Sequence, residues 1–168
     1  MARCGWQTSS TQEQAAPYSL RRRTVLLPGS AALGATALSY GRILGANDRI
    51  SLGHIGIGNR GRELAAITAG LKTSHKVEIT AVCDLWKINL DRAVQKTERM
   101  FAQTPRPFQY CEDLLELQDV DAVIISTADF QHAPILKLAA EAGKDAYCEK
   151  PMDNVLDEAK SARDAVKS

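Results

Sequence analysis

The stretch Gly56-Ile57-Gly58-Asn59-Arg60-Gly61 narrows the folds open to this chain more than any other feature. It closes a predicted buried strand, residues 50–57, and leads into a predicted helix over 60–71 with Leu64, Ile67 and Leu71 on one face. Glycines at this spacing between a strand and a helix each have a physical reason. The first permits a tight turn, the second lets a pyrophosphate approach the backbone, and the third lets the helix pack close to the strand. The helix N-terminus then offers free N–H groups and a partial positive charge to an anion. A second strand, with Val77, Ile79, Ala81 and Cys83 alternating along residues 76–83, ends at Asp84, about 20 residues past the glycines. A carboxylate there accepts hydrogen bonds from ribose hydroxyls and repels a 2′-phosphate. The unit predicts a dinucleotide site, NAD favoured and NADP the alternative, built from Gly56, Ile57, Gly58, Asn59, Arg60, Gly61 and Asp84. Lys87 and Arg60 are close enough in sequence to soften the NAD preference, or else are solvated helix-end charges.

The rest of the chain repeats the strand–helix alternation. A second helix is expected over 89–102, with Leu90, Ala93, Val94 and Phe101 as its stripe. A short strand near 108–110 and a short helix near 113–117 follow. Residues 121–126 are apolar almost throughout, as a strand covered on both faces should be. A helix over 131–142 stops at Gly143 in the C′ position, and residues 144–148 make a further strand. A last helix starts near Val155, with Asp153 or Asn154 as N-cap. The pattern implies a doubly wound parallel α/β sheet of Rossmann type over 47–168, incomplete at its C-terminal end. The chain stops at Ser168 inside the last helix, and a fragment lacking its substrate domain is expected, inactive by itself.

Residues 1–46 are different in kind. Their one acid is Glu13, against Arg3, Arg21, Arg22, Arg23 and Arg42. Arg22-Arg23-Thr24-Val25-Leu26 opens a mild apolar stretch rich in Ala, Gly and Ser, the order of parts in a twin-arginine export signal. The expectation is export to the periplasm through the twin-arginine machinery. Cleavage after Ala37 or Ala46, retention as an anchor, and a disordered basic tail are the alternatives. The net charge of +1 and 5% aromatic content give no reason to expect nucleic acid as a partner. The four cysteines form no C-x-x-C, and no histidine pair has ligand spacing, so no metal site is expected. Cys83 and Cys148 read as inert, buried strand residues.

Two further segments follow predicted strands, where ligands of open α/β sheets bind. In Glu149-Lys150-Pro151 the lysine can orient a substrate hydroxyl and carry its proton; the other reading is a surface turn with two solvated charges. In the segment from Ser126 to His132, the histidine could contact cofactor ribose or simply occupy the first turn of its helix. Together, the glycine loop, Asp84, the 121–125 strand with Thr127 and His132, and Glu149-Lys150-Pro151 resemble the Gfo/Idh/MocA oxidoreductases over residues 50–168. The resemblance implies a catalytic role for Lys150 at the nicotinamide and cofactor contacts from the Thr127 loop, His132 and Glu149. Ala128 stands where that loop usually has proline. It also implies an NAD(P)-dependent oxidoreductase acting on a sugar or polyol, homo-oligomeric at full length. The alternatives are a glycosidase of the same family, which oxidises its sugar transiently and regenerates the cofactor, and a cofactor-binding module without catalysis.

Overall fold

The computed structural model describes residues 49–168. Five strands alternate with helices: β1 (Ile50–Ile55), α1 (Asn59–His75), β2 (Val77–Cys83), α2 (Lys87–Phe101), β3 (Arg106–Phe108), α3 (Cys111–Leu115), β4 (Ala122–Ile125), α4 (His132–Glu141), β5 (Asp145–Cys148) and α5 (Leu156–Lys167). A 3-10 turn, Asp129–Gln131, leads into α4. All neighbouring strands are parallel, in the order β3-β2-β1-β4-β5. The chain steps outward from β1 to β3, then returns to the far side of β1 for β4. The reversal opens a crevice beyond the carboxyl ends of β1 and β4, where ligands bind in such sheets.

Each face of the sheet has its own core, as a parallel sheet requires. One gathers Ile57, Ala65, Ile79, Val82, Leu90, Ala93 and Phe101 under α1 and α2. The other gathers Ile55, Ala81, Cys83, Val123 and Ile125 with side chains of α3, α4 and Ala162 of α5. The strict alternation expected in β2 does not hold. The β1–β2 register pairs Leu52 with Ile79 and Gly53 with Ala81, leaving Thr80 as an extra residue. This bulge shifts the side-chain parity, so Ile79 and Ala81 belong to opposite cores.

Helix α1 departs from its expected face. Leu64 is buried, but Ile67 and Leu71 are 56% and 41% exposed; Gly61, Ala65 and Thr68 face the sheet instead. Small residues let this helix approach the glycine loop closely, and the approach sets its rotation. Helix α1 also continues to His75, α2 begins at Lys87, and β3 and α3 start earlier in sequence than expected. Tyr110, counted on for β3, is exposed beyond its end. Gly143 holds φ +68, as its C′ position demands. At α5 the N-cap is Val155, and Asp153 Oδ1 accepts the Val155 N–H at 2.8 Å, ahead of the helix. Cys83 is buried, whereas Cys148 on edge strand β5 is only partly so. Among the described residues no helix is long and apolar enough to cross a membrane. The export signal expected over 1–46 lies outside the described residues.

Candidate functional site

The three glycines of the loop do three different things. Gly56 has φ +83, and a Cβ there would lie 2.6–2.7 Å from Thr127 Cγ2, Cα and N. At Gly61 a Cβ would meet the Gly56 carbonyl oxygen at 2.3 Å and Ser126 Oγ at 2.9 Å. At Gly58 nothing lies within 4 Å. The first turns, the third packs, and the second leaves an open approach to the backbone. Gly58 caps α1 without a side-chain bond, and the first turn of α1 holds no acid, so its N–H groups and dipole remain available to an anion.

Asp84 is fixed before any ligand arrives. Its Oδ2 accepts the Ile57 N–H at 2.8 Å and its Oδ1 the Trp86 N–H at 2.9 Å. Behind the loop, the Ser126 hydroxyl donates to the Gly56 carbonyl at 2.7 Å. With that proton committed, His54 must donate from Nε2 to Ser126 Oγ, 3.0 Å away. His54 is 1% exposed, and burial pushes its pKa down from 6.5 to about 4. The chain therefore takes up a proton at this ring more readily unfolded than folded, and stability falls as pH drops through the window between those values. The expected loss from pH 7 to pH 5 is about 2 kcal/mol. Urea denaturation at the two pH values should show it, and His54→Asn should remove most of the difference. An unchanged difference in the variant would mean that other groups cause it.

The crevice has a volume of about 560 Å³, within the usual range for small-molecule sites. Gly56, Gly58, Asn59, Arg60, Asp84 and Thr127 line it, with Leu85, Gln109, Tyr110 and Cys111 also on its walls. Burial pushes the Cys83 thiol up to about 12 and the Cys111 thiol to about 11, so neither is a thiolate at neutral pH. An open cradle at Gly58, an uncapped helix end and a pre-oriented carboxylate fit a dinucleotide: its diphosphate against the Gly58–Gly61 turn, its ribose against Asp84.

The other candidate residues attach to this crevice without lining it. Ile57 points into the core beneath α1 and α2. Glu149 is 5% exposed, which rules out a solvated turn charge. Its Oε1 receives Arg60 Nε and Nη2, both at 2.8 Å, and the Tyr147 hydroxyl at 3.2 Å. The guanidinium holds the Glu149 carboxyl below the usual carboxylate range. Arg60 also donates from Nη1 to Glu63 at 3.0 Å, and Lys87 pairs with Asp91 at 3.0 Å. Both cations considered as softening the NAD preference are thus committed to carboxylates other than Asp84. His132, the first residue of α4, turns inward. Its Nδ1 lies 2.6 Å from the Pro151 carbonyl and its Nε2 3.2 Å from that of Thr127; a single ring N–H serves only one of these two acceptors, and the shorter contact ties the ring to Pro151. Lys150 is exposed at the end of β5, before a cis peptide to Pro151, and its Nζ has no hydrogen-bond partner among the described residues. Sequence reasoning gave no role to His54 or to the Ser126 hydroxyl. The available signal was a histidine inside a predicted buried strand.

Sheet order, glycine cradle and aspartate define a Rossmann domain that binds a nicotinamide dinucleotide. Residues 50–168 match the Gfo/Idh/MocA oxidoreductase family, NAD-binding Rossmann fold, and the chain belongs to that family. A glycosyl hydrolase family 109 protein of Shewanella baltica (strain OS155) is 36% identical over 117 residues, which cover 66% of this chain and 24% of that protein. Glycosyl hydrolase family 109 protein 2 of Shewanella sp. (strain ANA-3) is 30% identical over 155 residues, 90% of this chain and 32% of its own. The WlbA dehydrogenase of Bordetella pertussis, solved with NADH and UDP-GlcNAcA, shares the fold with a TM-score of 0.61 at 24% identity, over 71% of this chain and 34% of its own. KijD10, a 3-ketoreductase of Actinomadura kijaniata solved with NADP and TDP-benzene, gives a TM-score of 0.59 at 28% identity over the same shares. The chain thus spans about a quarter to a third of the length of these proteins.

Proposed function

We propose that the protein containing this domain moves a hydride between a carbinol carbon of a sugar or polyol and a nicotinamide cofactor, with Lys150 handling the hydroxyl proton. The observation that carries this reading is the position of Lys150. It projects at the carboxyl end of β5, and its neighbour Glu149 is tied to the glycine loop by Arg60. The cofactor supplies the hydride acceptor or donor. The protein's own residues cradle the diphosphate on the α1 N-terminus, hold the ribose at Asp84 and place an amine where a substrate hydroxyl can reach it. NAD is the favoured cofactor because Asp84 opposes a 2′-phosphate, and Arg60 and Lys87, the cations nearest it in sequence, pair with other carboxylates. A solved neighbour with NADP keeps that cofactor as the alternative.

The names of the Shewanella relatives favour a second reading, glycoside cleavage. One experiment separates the readings: the full-length protein is incubated with NAD and panels of free sugars, polyols and aryl glycosides. Accumulating NADH supports a dehydrogenase. Release of the aryl group without net NADH supports a glycosidase. Cofactor binding with neither would leave a binding module and sink the catalytic proposal.

We also propose export through the twin-arginine pathway, supported by Arg22-Arg23 ahead of a mild apolar run in an acid-poor leader. Changing both arginines to lysine should strand a fused, folded reporter in the cytoplasm. Undiminished export of that variant by the same pathway would contradict the proposal.

A further inference from the structure

We infer that Arg60 is a positioning residue: by clamping the buried Glu149 carboxylate it fixes the main chain at Lys150 against the glycine loop. The inference rests on the reading of Lys150 as the residue that works beside the cofactor. Arg60 lies in the first turn of α1 and Glu149 follows β5, so one ion pair joins segments 89 residues apart in sequence. Glu149 is a relay. While Oε1 takes Arg60 and Tyr147, Oε2 accepts the Lys150 N–H at 3.2 Å, and the Glu149 N–H is held by the Ile125 carbonyl at 2.9 Å. On the other side of Lys150, His132 Nδ1 meets the Pro151 carbonyl. Lys150, whose amine has no hydrogen-bond partner among the described residues, therefore lies between two anchored neighbours, Glu149 tied to the phosphate-binding turn and Pro151 to the His132 ring.

A buried carboxylate that loses its cation must find another partner or a proton, so removing Arg60 should release this turn. The guanidinium suits the task because its rigid fork directs Nε and Nη2 to the same oxygen, which an ammonium cannot reproduce. Arg60 is also poorly placed to anchor a phosphate. All three of its nitrogens are engaged by carboxylates, two on Glu149 and one on Glu63.

The test uses the 168-residue chain and two readouts. In the free protein, amide hydrogen exchange over residues 147–153 should speed up about tenfold in Arg60→Met, less in Arg60→Lys, and not at all in Glu63→Gln, which removes only the exposed partner. In titrations, ADP-ribose should bind Arg60→Met within about threefold of the wild type, because the loop amides and Asp84 carry that half. NADH should lose about tenfold, because its nicotinamide end needs the fixed turn. Unchanged exchange over 147–153 overturns the inference. So does an equal loss for ADP-ribose and NADH, which would make Arg60 a phosphate anchor. Should Arg60→Met fail to fold, Arg60→Lys carries both readouts. If the wild type binds neither ligand, the cofactor reading itself fails, and the exchange arm alone decides whether Arg60 holds Lys150.

Discussion

Gly56→Ala should abolish dinucleotide binding and lower folding stability by about 2–4 kcal/mol. An L-residue at φ +83 accounts for about 1–2 kcal/mol of this. The rest comes from a methyl group 2.6–2.7 Å from the Thr127 side chain and backbone. The loop cannot rotate away, because the Gly56 N–H is held by the Cys83 carbonyl at 2.8 Å and the Gly56 carbonyl by Ser126 Oγ. Gly58→Ala provides the contrast. Its φ of −70 suits alanine and its Cβ would meet nothing within 4 Å, so stability should stay within about 0.5 kcal/mol. The added methyl would instead occupy the approach to the helix N-terminus, and binding should fall sharply. Urea denaturation and NADH titration of both variants separate strain from obstruction. A Gly56→Ala protein as stable as the wild type would refute the backbone argument, and a Gly58→Ala protein that binds normally would move the phosphate elsewhere.

The glycine loop and Asp84 were legible in the sequence because their chemistry is local. Turn, helix start and strand end lie within one strand–helix–strand unit, and each needs a particular residue type. The buried run of β4 and the stop at Gly143 were legible for the same reason. The face of α1 was not. Periodicity favoured Leu64, Ile67 and Leu71, but small residues control how near a helix comes to a sheet, and Gly61, Ala65 and Thr68 took the contact. The bulge at Thr80 was equally hidden, because side-chain parity depends on pairing with β1 rather than on β2 alone. Arg60 illustrates the limit most clearly. Neighbours in sequence suggested a role near the ribose, whereas its partner, Glu149, directly follows β5, the strand two places along the sheet from β1. His54 and Ser126 were unread because they act together, and only strand pairing brings residues 72 apart to 3.0 Å.

Lys150→Met in the full-length protein should lower turnover by about 10²–10⁴-fold, the usual effect of removing a positioned acid–base group. Its affinity for NAD should change little. On that proposed role the two effects fall on different segments: Gly58 precedes α1 and Asp84 follows β2, whereas Lys150 lies just past β5 with its amine free of hydrogen bonds among the described residues. Methionine keeps most of the length and apolar stem, so the variant tests the amine rather than packing. Glu149 and Pro151 retain their own anchors, and the turn should stay in place without the charge. Single-turnover reduction of NAD, measured beside NAD titration, distinguishes the outcomes. Normal turnover would return Lys150 to a solvated turn residue. Loss of NAD affinity in proportion to activity would make it a cofactor anchor. A fall in turnover alone would place the amine at the substrate hydroxyl, where its contribution appears only as the proton leaves.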